Sequence, residues 1–559
     1  MLTAQSEKTL TRTLAWGATL VSIFVMWSVV TDPVNVTKHF LLGAVALSAA
    51  LVALASGYRL IWRQSKLIVV LLVGFLLLSL SAVINSPGPL SQNFYGSYGR
   101  NTGFMAYLFL LLILLSTLVI RSRKNFESIV KALIVAGLIN VFYCFWVIVF
   151  GDFIGWSNPY GNILGTFGNP NFIGAFLGIF VSVFAAYLLA PGLDIKIRIG
   201  GALIILVALF EIKDSNAIQG IVVSAGGFAI VLFFFIRSRT KSLVPILIYI
   251  GFIAVTGVFA ILGALQKGPL TEYIYKTSVS LRGEYWQAGI NMAREFPLTG
   301  VGMDTYGDWY RRLREPSAII LPGPNTVTNA AHNVNLDLLA SGGWPLFIVY
   351  LLILLVAAIS IIKVIRRSKG YDWVFVALAT GWVCYQVQAL ISINQIGLAI
   401  WGWLLTGAVI AYEISTREVP AIKPLKVKSG YSGANISPQL IGGVGLVIGG
   451  LLAVPPLSAD MTWRSALQSQ DIAKVEAALV PSYLNPANTA KYSQAVQTFE
   501  SSKLPEQAYK YAQIAVAFNP DAFDAWKVLY FISKSTQADK DLALANMKRL
   551  DPLSPNVLG

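Results

Sequence analysis

The sequence predicts an all-α, polytopic membrane protein of about 12–13 transmembrane helices, followed by an outward-facing α-helical repeat tail. Three observations carry that expectation. Hydrophobic residues make up 56% of the 559 residues and charged residues only 12%, too little charge for the surface of a soluble protein of this size. Apolar runs of spanning length recur from residue 13 to residue 456. Beyond residue 457 the chain becomes polar and alanine-rich, with helical periodicity.

The apolar runs lie near 13–31, 38–57, 67–85, 103–120, 127–150, 171–190, 198–212, 217–236, 243–265, 340–363, 372–392, 396–414 and 438–456. The first reads as an anchor: Leu14–Val30 ends in Thr31-Asp32-Pro33, which is no small-x-small cleavage site, and a second run follows at once. The 198–212 run is short for a span. Basic residues mark every second gap: Lys8 and Arg12 before the first run, Arg59, Arg63 and Lys66 after the second, and Arg121, Arg123 and Lys124 after the fourth. Lys196 and Arg198 follow the sixth run, Arg237, Arg239 and Lys241 the eighth, and Lys363, Arg366, Arg367 and Lys369 the tenth. Arg417, Lys423, Lys426 and Lys428 follow the twelfth.

By the positive-inside rule the N-terminus is cytoplasmic. The long loop 266–339 and the tail 457–559 then face outward, and residues 1–456 form the membrane domain. The net charge of +15 is on this reading a topology signal, so no nucleic-acid partner is expected. The two cysteines, Cys144 and Cys384, lie in apolar runs and the two histidines, His39 and His332, are far apart. No metal site and no cofactor are expected from that inventory.

In the tail, Asn485-Pro486, Asn519-Pro520 and Asp551-Pro552 recur close to the ~34-residue tetratricopeptide period. Ala508, Tyr511, Ala515 and Phe518 supply the small/aromatic pattern before Pro520. Such repeats serve either as a helical cap or as a groove for a protein partner.

Three outward loops are rich in polar and aromatic groups. "SQNFYGSYGRNTGF" carries Arg100, and "GWSNPYGNILGTFGNPNFIGAF" carries Asn158, Asn162, Asn169 and Asn171, which suit either turn chemistry or sugar hydroxyls. The 266–339 loop holds Arg282 and Trp286 one helical turn apart, then Arg311, Arg312 and Arg314 among interspersed carboxylates. Arginine forks of this kind bind either carboxylates or a diphosphate. His332 is expected to head a helix starting near Ala330, capped by Thr328 or Asn329. A helix N-terminus disfavours the imidazolium, leaving a neutral ring able to accept a hydroxyl proton, or a structural histidine bonded to a carbonyl.

Taken together, the many spans, "GTFGNPNFIGAF", "RGEYW" and "HNVNLDLLASGGWPLF" resemble the O-antigen ligase and polymerase superfamily over most of residues 70–415. The resemblance implies an all-helical, type-C membrane glycosyltransferase of the bacterial inner membrane. It would move a glycan from an undecaprenyl-diphosphate carrier to a glycan, lipid or protein acceptor hydroxyl, without a metal. Arg282 resembles the family arginine on the donor diphosphate, and His332 its base. The family often has a further arginine near 217, where this chain reads "KDSNAIQG" with Asn216 at that place. Lys213 would then substitute, with Arg311, Arg312, Arg100, Asn169, Asn171 and Trp286 as further substrate-binding candidates. A transporter or lipid-linked glycan flippase is the competing class, disfavoured because the spans are nearly free of charge.

Overall fold

Each apolar run folds as a helix, because a chain without water for its backbone groups satisfies them internally. The computed structural model describes residues 3–368, 370–417 and 436–555; the loop lysines Lys369, Lys423, Lys426 and Lys428 lie outside the described residues. Helices and no strand form among the described residues. The expected spans correspond to helices Ala4–Ile23, Asn35–Gln64, Lys66–Asn85, Phe104–Thr117, Arg123–Phe150, Pro170–Leu188, Ile195–Asp214, Ile218–Arg239, Val244–Ala264, Val334–Arg367, Trp373–Ala389, Ile396–Ser415 and Pro438–Ser469. Among the described residues nine of these are long and apolar enough to cross a membrane. Phe104–Thr117 and Trp373–Ala389 are shorter, and Ala4–Ile23 and Ile195–Asp214 carry charges near an end.

Polar contacts sort the gaps between helices into two ends. At one end Glu7 accepts from the backbone N–H of Arg121 at 2.8 Å and Arg121 donates to Gln64. Arg123 pairs with Asp372 at 2.7 Å, Arg367 with Glu413 at 3.2 Å, and Tyr371 donates to the Ala186 carbonyl. Arg237 reaches the Ser368 carbonyl there too. At the other end Asn35 donates to the Gly99 carbonyl, Arg100 to Asn329, and Lys276 to Asn216. The alternation of basic and non-basic gaps is therefore a spatial segregation.

Ile396–Ser415 runs through the centre, fully enclosed by its neighbours. Its Trp401 indole N–H donates to the Ser22 hydroxyl at 2.6 Å, tying the core to the first helix. The Pro438–Ser469 helix lies along Asn35–Gln64 with backbones almost touching. A Cβ on Gly449 would sit 2.2 Å from the Gly43 carbonyl oxygen, and one on Gly445 2.5 Å from that of Leu47. Small residues permit that approach, which dispersion alone rewards in an apolar medium. Val244–Ala264 is peripheral: only 6% of its most apolar window is buried, which leaves its surface to lipid.

The 266–339 segment is not a bare loop. It forms helices Thr271–Ile274, Thr277–Glu295, Tyr306–Leu313 and Ser317–Ile320 around its own apolar cluster of Tyr285, Ala288, Met292, Trp309 and Tyr310. The Pro438–Ser469 helix passes without a break through Pro455 and Pro456. At 32 residues it is about 48 Å long, more than the ~30 Å hydrocarbon core requires, so its last turns project from the bilayer. The boundary drawn at residue 456 therefore falls inside a continuous helix. Helices Ile472–Ala478, Thr489–Ser501, Pro505–Phe518, Phe523–Phe531 and Gln537–Leu550 complete the tail, around a core that includes Trp463, Phe499, Tyr511, Leu529 and Met547.

The tail is fastened to the 266–339 segment. Asp551 accepts from Arg314 at 2.7 Å and from Arg311 at 2.9 Å, Asp521 from Arg312 at 2.6 Å, and Asn519 donates to Asp308. Two of the three recurring Asx-Pro positions are thus docking residues. Asp460, on the projecting turns, accepts from the backbone N–H groups of Thr31 and Asp32 at 2.7 and 2.9 Å and from the Tyr98 hydroxyl at 2.8 Å.

Candidate active site

His332 lies at the end of the bundle where the non-basic gaps gather. Its helix begins later than the sequence suggested: Asn333 is the N-cap, accepting from the N–H groups of Asn335 and Leu336, and the helix starts at Val334. Thr328 and Asn329 are not caps. Thr328 closes a tight turn onto Ala330, and Asn329 receives Arg100. His332 itself adopts a left-handed backbone, φ +53°, a conformation that costs a non-glycine residue about 1–2 kcal/mol. The turn lays its ring against Tyr285, with centroids 5.5 Å apart and planes inclined 32°. Burial, then the positive charges of Arg282 and Arg100, depress the imidazole pKa to about 4. The ring is neutral at neutral pH, for reasons of desolvation and charge more than of helix dipole.

Arg282 projects from Thr277–Glu295, one turn before Tyr285. Its Nε is buried without a hydrogen-bond acceptor, and burial lowers its pKa. Among the described residues it makes no ion pair. Arg100, by contrast, is held: it donates twice to Asn329, at 2.9 and 3.0 Å, and its Nε lies 3.6 Å from Asp304. Asp304 in turn accepts from Ser97 N–H and from Thr102 N–H and hydroxyl, locking the 91–104 loop to the 266–339 segment.

A cavity of about 530 Å³ brings these groups together. Arg100, Arg282, His332, Asn169, Asn171, Gln219 and Asp32 line it, along with Arg464 from the Pro438–Ser469 helix. Asn169 caps Pro170–Leu188 by accepting from Asn171 N–H, and Gln219 donates to the Asn171 carbonyl. Asn158 and Asn162 instead serve turns, donating to the carbonyls of Asn162 and Asp214. A second cavity of about 1110 Å³ opens between the membrane domain and the tail. His332 and Asn329 border both cavities.

Several expected substrate contacts fall elsewhere. Lys213 is exposed and borders neither cavity. Asn216, also left-handed at φ +55°, accepts from Lys276. Trp286 packs against the segment's own apolar cluster and lines neither cavity. Arg312 lies over Trp309 and pairs with Asp521. Arg311 borders the larger cavity, but its guanidinium lies over Phe523 and donates to Asp551. Both arginines bind the tail, whose carboxylates no local pattern could have assigned to them. Arg464 was not anticipated, since residues after 456 read as a separate domain. Its signal was a lone arginine in the first turns beyond an apolar run.

With this geometry in view, comparison with known families is informative. Residues 201–351 match the family described as O-Antigen ligase. The O-Antigen ligase match spans Arg282 and His332 and stops before Arg464. It supports a membrane protein that transfers glycan in the manner of a ligase or polymerase. No curated protein matches the chain.

Proposed function

We propose that the protein transfers a glycan from an undecaprenyl-diphosphate carrier to an acceptor hydroxyl at the outer face of a bacterial inner membrane. The observation that carries this reading is one cavity faced by Arg282, half-buried with no ion pair among the described residues and its Nε without an acceptor, and a neutral imidazole, His332. The basic end of the bundle would lie in the cytoplasm, which turns the cavity outward. The smaller cavity takes the donor head group, with its cationic lining on the diphosphate. The larger one, which His332 also borders, takes the acceptor.

In the reaction the acceptor oxygen attacks the anomeric carbon and its proton passes to a ring nitrogen of His332. The bond from the anomeric carbon to the diphosphate oxygen breaks, and that oxygen keeps the electron pair. Arg282 stabilises the charge that develops there. A single displacement inverts the anomeric centre. The diphosphate anion also offsets the two arginines that depress His332, so the imidazole becomes a stronger base when donor is bound. Charge stabilisation by arginine needs no metal.

The test is turnover of undecaprenyl-diphosphate glycan by purified protein with EDTA present, with His332→Ala alongside. Consumption by wild type alone supports the reading. Equal turnover by both removes His332 as the base, and no turnover by folded wild type moves the assignment to transport of the same lipid.

A further inference from the structure

We infer that Arg464, on the projecting turns of the Pro438–Ser469 helix, is a second ligand of the donor diphosphate, so that the C-terminal region completes the donor site. This rests on the glycosyltransferase reading above. Arg464 lines the same cavity of about 530 Å³ as Arg282 and His332. Its Nε is buried without an acceptor, as is that of Arg282. Neither arginine has an ion pair among the described residues, whereas Arg100 in the same cavity is committed to Asp304 and Asn329. Asp32 is the one carboxylate on the lining among the described residues, and its Oδ1 already accepts from Val34 and Asn35 N–H groups. Two half-buried guanidinium groups line one cavity with a single carboxylate, Asp32, among the described residues, so their mutual repulsion is only partly offset. A dianionic ligand between them removes that penalty, and a diphosphate offers oxygens on both phosphoryl groups for two forks.

The backbone that carries Arg464 is fixed for such a task. One turn earlier, Asp460 is clamped by Thr31, Asp32 and Tyr98. The adjacent Trp463 is fully buried, and its indole N–H donates to Gln494 of the tail at 3.0 Å. Arg464 therefore reaches the cavity from a preorganised helix, the condition under which a charged contact is worth most. Neither Asn216, at the place of the family's further arginine, nor Lys213, expected to substitute for it, lines that cavity.

The test uses the full chain in nanodiscs and measures binding of undecaprenyl diphosphate, inorganic diphosphate and undecaprenol. Arg464→Ala, Arg464→Gln, Arg464→Lys and Arg282→Ala are compared with wild type. Arg464→Ala and Arg464→Gln should each weaken undecaprenyl diphosphate about tenfold, the scale of one charge-assisted contact. Arg464→Lys should recover part of the loss, and undecaprenol binding should not change. Inorganic diphosphate competing with the lipid, less well against the Arg464 variants, assigns the contact to the head group. Competition unaffected by Arg464 overturns it. Arg464→Gln binding like wild type while Arg282→Ala is weakened refutes the role of Arg464 and leaves the enzyme reading standing. Wild type that binds no undecaprenyl diphosphate, or Arg282→Ala that binds it as well as wild type, overturns the underlying reading itself. Should Arg464→Ala lower the thermal midpoint, the Gln variant, which keeps the aliphatic stem and a polar group at the Nε position, decides.

Discussion

Arg314 and Asp551 form an ion pair at 2.7 Å across 237 residues of chain, with both side chains fully buried. Arg311 adds a second donor to the same carboxylate at 2.9 Å. Breaking a buried pair by removing one partner leaves an uncompensated charge and costs about 3–5 kcal/mol. Asp551→Ala should therefore loosen the tail. Limited proteolysis should cut within 470–555 well before wild type is cut, and the thermal midpoint should fall. A proteolysis pattern like that of wild type would show that the tail stays docked through its other contacts.

His332→Ala should reduce transfer by about 10²–10⁴-fold, the usual contribution of a positioned base, with the fold intact. A pH profile sharpens this. The base acts unprotonated, so with its pKa depressed to about 4 the free enzyme keeps it competent as the pH falls toward that value and loses it below. kcat/KM should hold from neutral pH to about pH 5 and drop through pH 4. A limb near the ordinary histidine value of about 6.5 would contradict the buried, arginine-flanked environment.

Donor binding should shift that same group. An anion beside Arg282 favours the imidazolium, so the His332 pKa should rise when undecaprenyl diphosphate binds. The chain has only two histidines, and His39 is fully buried elsewhere, so histidine-selective NMR separates them. A His332 signal that titrates identically with and without the lipid would place the diphosphate outside the Arg282–His332 cavity.

Gly449→Leu tests how the tail's carrier helix is seated. A Cβ there would stand 2.2 Å from the Gly43 carbonyl oxygen, so the Pro438–Ser469 helix must move away from Asn35–Gln64. Thermal stability in detergent should fall by several degrees, and donor binding should weaken with it because Arg464 rides on the same helix. Gly443→Leu, whose Cβ meets no atom within 4 Å, should leave both unchanged. Equal effects of the two substitutions would mean that the helices are not in close backbone contact.

Much of this protein was legible in its sequence because the bilayer leaves little choice. Apolar length fixed the helices, and the alternating basic gaps separated the two ends before any contact was known. "RGEYW" and "HNVNLDLL" drew attention to Arg282 and His332 through a family resemblance, where the residues alone left structural roles open. What the local pattern could not contain was long-range pairing. Arg311 and Arg312 stayed open between carboxylates and a diphosphate because their partners, Asp551 and Asp521, lie more than 200 residues away. Arg464 drew no attention because nothing in its neighbourhood reveals that an unbroken helix carries it to the lining of the smaller cavity. The helix assignments follow from local chemistry, the solvation of each backbone group within its own segment. Which arginine is neutralised and which is left to meet a ligand follows only from the tertiary structure, because charge compensation acts between side chains that the fold, not the chain order, makes neighbours.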